Sequence, residues 1–200
     1  QILFPTTNSG YGSTRDDLVC TEETPLHPIS HYGLTKKWAE ESVMRHPNAI
    51  SFRLATAFGV SPRMRLDLLV NDFVYRAVTD RSIVIYEPHF IRNYIHVRDV
   101  ARVFVHGIEH PSEMAHQVYN VGLDDTNLSK KDLALRIRTH LPICSIHEAD
   151  VGTDPDQRNY RVSNAKIAGT GFVPQWSLDR GITELIAAFQ MVRRNGYGNV

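Results

Sequence analysis

Apolar positions in this chain follow two patterns: short unbroken runs, and longer stretches in which they recur at helical spacing. The runs read as buried strands and the periodic stretches as amphipathic helices. Ile2-Leu-Phe4 ends a buried strand, and residues 49–54 form another that closes at Phe58-Gly59. Residues 6–28, rich in Gly, Ser, Asp and Pro, read as loop. Ser30 is placed to cap a helix carrying Tyr32, Lys36, Ala39, Glu40 and Val43. Residues 67–78 place Leu69, Val70, Phe73, Val74 and Ala77 on one helical face. Residues 97–109 do the same through Val100, Ala101, Phe104, Val105 and Ile108. Short strands are expected at 83–86, 91–95 and 118–121. Ser129 and Asp132 form a capping-box-like start for a helix reaching about His140. Ser177 opens a last helix with Ile182, Leu185, Ile186 and Phe189 on one face. Strands alternating with helices predict an α/β fold.

Composition narrows the possible partners. The 200 residues and 42% hydrophobic share suit a packed globular core. Lys+Arg and Asp+Glu both count 22, so no basic field is available for nucleic acid or an anionic membrane surface. No apolar run approaches the roughly 18 residues of a membrane span. Cys20 and Cys144 stand far apart and read as free thiols of a reducing, cytoplasmic compartment. His27 and His31 are separated by Pro28, and no His-Glu-x-x-His or Cys-x-x-Cys occurs, so no metal site is expected. A Gly-x-Ser-x-Gly elbow is absent too, which removes the Ser/His/Asp hydrolase reading.

The main chemical signal is Ser30-His-Tyr-Gly-Leu-Thr-Lys36. Tyr32 and Lys36 are one helical turn apart on the same face. An ammonium held there favours the phenolate and draws the tyrosine pKa down from about 10 towards neutral. Such a phenol can pass a proton to or from a sugar or alcohol hydroxyl while a hydride moves to a nicotinamide.

Four ordered blocks extend this signal. They are Thr6-Thr-Asn-Ser-Gly-Tyr-Gly12, the run from Thr24 to Glu40 with Pro28, Tyr32, Lys36 and Glu40 in register, Phe52-Arg-Leu-Ala-Thr-Ala-Phe-Gly59, and Arg92-Asn-Tyr-Ile-His-Val-Arg-Asp99. Together they resemble the extended short-chain dehydrogenase/reductases, specifically the NAD-dependent nucleotide-sugar epimerases and dehydratases, over nearly the whole chain. The resemblance implies a Rossmann-type doubly wound parallel sheet with a smaller α/β substrate lobe. Residues 1–60 would be the carboxyl-terminal portion of the NAD-binding domain, and residues 61–200 mainly the substrate lobe. The family's Gly-x-x-Gly-x-x-Gly turn, which holds the pyrophosphate, does not occur here. The chain therefore reads as the C-terminal part of such an enzyme, expected to bind NAD poorly alone.

The resemblance also assigns roles. Tyr32 would be the acid/base, Lys36 its partner and a ligand of the nicotinamide ribose, and Thr7 the bridging hydroxyl, with Thr6 next to it as the other candidate. Thr6 and Ala55 would line the cofactor, which would be NAD, with NADP also possible. Ser9, Thr56, Asn71, Arg92 and Arg158 would meet a nucleoside-diphosphate sugar, the arginines and Asn71 at its diphosphate. Arg92 reads equally as a surface residue on an edge strand, Arg158 as a partner of Asp154 or Asp156, and Asn71 as a polar position on an amphipathic helix. Asp99 would cap or start the helix that follows it, and His96 would be a packed turn residue. Asn8 and Ser9 stand where dehydratases of the family carry an Asp-Glu pair, which favours C4 epimerisation or 4-keto reduction over dehydration. A homodimer through the Tyr32 helix, with Trp38, Val43 and Met44 on its surface, is the implied assembly. The competing reading is a non-catalytic binding or assembly module.

Overall fold

The computed structural model describes residues 1–15, 17–149, 152 and 156–191. In chain order the elements begin with β1 (Ile2–Thr7), a 3₁₀ turn (Asn8–Tyr11), β2 (Val19–Cys20), α1 (His31–Val43), β3 (Ala49–Leu54) and β4 (Thr56–Phe58). Next come α2 (Leu69–Thr79), β5 (Ser82–Ile85), β6 (Ile91–Arg92), β7 (Tyr94–His96), α3 (Val97–Glu109) and α4 (Pro111–Met114). They are followed by β8 (Gln117–Val121), β9 (Leu128–Ser129), α5 (Lys130–His140), β10 (Ser145–Glu148), β11 (Arg161–Val162), α6 (Ala165–Ala168) and α7 (Leu178–Met191).

The frame is a three-stranded parallel sheet in the order β1-β3-β8. Ile2 pairs with Ala49 and Thr7 with Leu54, so β1 and β3 end level with each other. β3 is central, and every residue from Ala49 to Arg53 is buried, polar Ser51 and Arg53 included, because both of its faces are covered. At Ala55 the chain changes partner. The Ala55 amide still donates to Val121 of β8 (2.9 Å), whereas the Thr56 amide donates to Asn93 (3.0 Å), and β4 then pairs with β7. Helix α3 crosses the sheet closely because Gly107 has no side chain; a Cβ there would lie 2.7 Å from Leu3 Cδ2. Beyond the sheet, α2 and α5 pack with the parallel pair β5 and β10, and α7 packs on α2 and α5. One apolar core runs from Phe52 and Val121 through Val70, Phe73 and Leu133 to Leu185. A small second cluster joins Tyr11 and Cys20 to Tyr160 and Val162.

Local signals act where expected. Ser30 Oγ accepts from the Gly33 amide (3.1 Å), and Ser129 and Asp132 form a reciprocal capping box. The 6–28 segment departs from a plain loop: it contains the buried Asn8–Tyr11 turn and β2, which pairs with β11. β10 is polar and carries no apolar alternation; its pairing with β5 makes it a strand. Asp99 stands in the first turn of α3, starting the helix rather than capping it. Its fully buried carboxylate accepts from the amides of Gln175 (3.0 Å) and Trp176 (2.8 Å) and pairs with Arg102 (2.7 Å), tying α3 to the entry of α7. His96 caps α3 instead, its Nδ1 accepting from the Arg98 amide (3.2 Å) while Nε2 meets Glu184 (3.0 Å). Burial pushes its imidazole below the ordinary value, against the pull of Glu184.

Gly59 marks the end of β4. Its φ is +113°, and a Cβ there would sit 2.3 Å from His96 Nε2. Gly59→Ala combines backbone strain with overpacking against a pinned ring, so a stability loss of at least about 2 kcal/mol is expected. Urea denaturation measures it, and a loss under about 1 kcal/mol would show that the turn yields instead.

Both cysteines are free and buried. Among the described residues, no helix is long and apolar enough to cross a membrane, and no group of three His, Cys, Asp or Glu is arranged to hold a metal ion.

Candidate active site

β1 and β3 run parallel and end together, and α1 passes over that end. A cleft of about 490 Å³ opens there. Clefts at the carboxyl ends of parallel strands are where α/β sheets take their ligands, because loops diverge there and expose backbone and side-chain polar groups. β1 contributes Thr6 and Thr7, the 3₁₀ turn Ser9, α1 Tyr32 and Lys36, and the β3–β4 step Ala55, Thr56 and Ala57. Arg158 and Tyr160 form a further wall.

Thr7 is fixed by its own turn. Its side chain accepts from the Ser9 amide (3.1 Å), and its hydroxyl donates to Ser9 Oγ (2.8 Å). Lys36 Nζ donates to the Pro5 carbonyl (3.1 Å) and stands 6.0 Å from the centre of the Tyr32 ring. Pro5 helps here, since proline presents a carbonyl without a competing N–H. Tyr32 is 55% exposed and lines the open cleft.

Arg158 is held in that wall on several sides. Its Nε and Nη2 fork onto the Asp156 carboxylate, and its Nη1 donates to Ser9 Oγ. Burial is the largest influence and opposes its charge, but the Asp156 hydrogen bond together with the charges of Tyr160 and Asp156 holds the guanidinium above its ordinary value. Asp156 is likewise pushed up by burial and pulled down further by Arg158 and Arg92, to about 2. The group is thus an ion pair at any working pH. Asp154, the other partner considered for Arg158, lies outside the described residues.

Two expected ligand residues do not reach the cleft. Arg92 is 2% exposed, so it is not a surface residue either. Its guanidinium donates to the carbonyls of Ile91 and Arg158 and pairs with Asp156 (3.1 Å). It braces the Arg158 wall from behind. Asn71 is also buried: Oδ1 accepts from the Gly59 amide (3.0 Å) and Nδ2 donates to the Arg65 carbonyl (2.9 Å). It fixes the two ends of the 59–65 segment. Asn8 is fully buried, with neither amide atom hydrogen-bonded among the described residues, and does not line the cleft.

The pattern reading missed Arg65, Asp67 and Leu68, which line the cleft from the segment between β4 and α2. Arg65 and Asp67 are paired with each other; the bond holds Arg65 above and Asp67 below their ordinary values. The available signal was positional: Gly59-Val-Ser-Pro-Arg-Met-Arg65 leaves the carboxyl end of a strand, where site loops lie.

A buried network supports the site from below. Arg53 of β3 donates to Glu40 of α1 through Nη2 (2.7 Å) and, to both carboxylate oxygens, through Nε (3.1 and 3.2 Å), and Ser51 Oγ adds a fourth bond to that carboxylate (3.0 Å). Arg53 Nη1 also reaches the Tyr11 phenol (3.0 Å), which donates to Asn120 Oδ1 of β8 (2.7 Å). Burial pushes the Tyr11 pKa up to about 12 despite Arg53, so this phenol stays protonated.

The sequence model of the NAD dependent epimerase/dehydratase family matches residues 1–122. Among solved structures, the fold is similar to RMD from Pseudomonas aeruginosa complexed with NADPH, at 18% identity and TM-score 0.79, covering 94% of this chain and 66% of that one. It is similar to dTDP-glucose 4,6-dehydratase from Bacillus anthracis in complex with NAD, at 22% identity and TM-score 0.79, covering 94% and 61%. It also resembles UDP-glucose 4-epimerase from Thermus thermophilus in complex with NAD, at 19% identity and TM-score 0.80, covering 96% and 64%. The chain spans less than two thirds of the length of each.

Proposed function

The chain belongs to the NAD-dependent epimerase/dehydratase family, and from that premise we propose that it carries the catalytic and sugar-binding part of a nucleoside-diphosphate-sugar epimerase working through oxidation at C4. The observation that carries the reading is the convergence of Thr7, Tyr32 and Lys36 on one cleft at the level ends of β1 and β3. Tyr32 as phenolate takes the proton of the C4 hydroxyl, Thr7 holds that oxygen, and Lys36 stabilises the phenolate. Bound NAD supplies the hydride acceptor, and later the donor, for C4. The proton then returns from Tyr32 to the reduced oxygen on the other face.

The lining fits the nicotinamide-ribose end of such a cofactor. Lys36 spends one N–H on Pro5 and keeps two for ribose hydroxyls, and Thr6 and Ala55 leave space beside it. The pyrophosphate-binding glycine turn is not part of these 200 residues, so the proposal concerns the full-length protein. Dehydration would need a carboxylic acid at the reacting end. Among the described residues the only acid lining the cleft is Asp67, and Arg65 already holds it.

The test is product analysis. NAD-loaded full-length protein is given UDP-glucose and UDP-glucuronic acid, and the products are read by NMR. Inversion at C4 without loss of water is expected. A 4-keto-6-deoxy product, or no conversion of either sugar, would remove the reading.

A further inference from the structure

We infer that His96 is a proton-sensitive latch: as the neutral imidazole it caps α3 and holds Glu184 of α7, and a second ring proton takes the cap away, loosening the brace behind one wall of the cleft. This role is independent of the C4 reading above.

The tautomer follows from the partners. The Arg98 amide can only donate, so Nδ1, which it meets at 3.2 Å, carries a lone pair. Nε2, 3.0 Å from a Glu184 carboxylate oxygen, therefore carries the proton and donates it. A second proton can enter only at Nδ1. There it sets N–H against N–H at the start of a helix, where the backbone dipole is already positive. The ring has no room to turn away. It is fully buried, stacks on Trp176 (4.3 Å between centroids, 13° between planes) and packs edge-to-face with Phe58 (5.3 Å). Gly59 and Gly181 lie against it so closely that a Cβ would stand 2.3 Å from Nε2 or 2.9 Å from Cδ2. The first turn of α3 therefore has to give.

The latch reaches the cleft through Glu184. The Val60 amide donates to the same Oε2 (3.2 Å) that His96 holds, and Arg98 donates to Oε1 (2.8 Å). Val60 begins the segment that brings Arg65, Asp67 and Leu68 to the cleft. One carboxylate thus joins α7, the first turn of α3 and the cleft wall. The charges around the ring are mixed. Glu184 and Asp99 favour the imidazolium and Arg98 opposes it, while Arg180 of α7 lies 3.8 Å from the centre of the Trp176 ring. Asp99 is already held by Arg102 and two amides. Burial outweighs the carboxylates, so the ring titrates below its ordinary 6.5. The folded chain thus disfavours a proton that the unfolded chain accepts. Stability is complete above about pH 6.5 and falls as the pH drops from there to the folded-state midpoint.

The test is a pH titration of the full-length protein and its His96→Asn variant, read by tryptophan emission and by urea unfolding. An imidazolium quenches an indole stacked on it, so Trp176 reports the proton directly. Asparagine can still cap α3 but does not titrate. The wild type should lose emission with a midpoint below pH 6.5, and His96→Asn should lack that step. Between pH 6.5 and the midpoint, the wild-type unfolding constant should rise about tenfold per pH unit relative to His96→Asn. A midpoint at or above 6.5, no such step before global unfolding, or parallel stability curves for the two proteins overturns the inference. Should His96→Asn fail to fold, Trp176→Phe identifies the same emission step, and its midpoint decides.

Discussion

Tyr32→Phe in the full-length protein is expected to lower kcat by about 10²- to 10⁴-fold, the usual contribution of a positioned acid/base. The substitution removes one oxygen atom and leaves the ring. Tyr32 lines an open cleft and is 55% exposed, so the core does not depend on it. The thermal midpoint should move by no more than a surface change does, within about 0.5 kcal/mol of stability. KM should change little, since the lost proton transfer belongs to the transition state rather than to binding. Steady-state turnover and a thermal melt of the same preparation check both halves. Retention of most of the turnover would show that Tyr32 is a half-exposed helix tyrosine and nothing more. A large loss accompanied by an equally large drop in stability would assign the residue a structural role instead.

Local patterns predicted the parts of this chain that depend on neighbours in sequence. The Ser30 and Ser129 caps, the α3 period and the Tyr32–Lys36 spacing each need only a few residues to specify them. Thr7, Ser9, Thr56 and Arg158 also meet Tyr32 in one cleft, because the order of motifs follows the order of strand ends. What escaped was decided by contacts across the fold. Arg92 and Asn71 are of the residue types that grip phosphates, yet both are occupied. Arg92 is bound to a carbonyl 66 residues away, and Asn71 to the backbone of a loop whose path the sequence does not disclose. Asp99 sits in the first turn of α3 but bonds amides 76 and 77 residues distant. Arg65 joins the site for the converse reason: the segment that Asn71 pins brings it to the cleft wall. A side chain's type states what it can bind, and the packing around it decides what it does bind.

The same distinction makes Glu40 the residue whose loss should cost most in stability. By its spacing it is simply the next turn of the Tyr32–Lys36 face, one more polar position on α1. In the fold it is 4% exposed and takes three hydrogen bonds from Arg53 and one from Ser51 of the central strand. Glu40→Ala leaves the Arg53 guanidinium, 6% exposed, without its counter-charge, and a stability loss of about 3–5 kcal/mol is expected. Tyr11 cannot compensate, because its phenol is held protonated and already donates to Asn120. Denaturant unfolding measures the loss, and a value under about 1 kcal/mol would mean that water or a shifted side chain satisfies Arg53. Replacing both partners, as Glu40→Ala with Arg53→Met, should recover a large part of the deficit, because no unpaired charge is then left buried. Recovery of stability without recovery of turnover would separate two functions of the pair. The ion pair is worth little as net stabilisation over an apolar substitute. Its directional bonds, however, fix α1 against β3, and with it the distance of Tyr32 from Thr7.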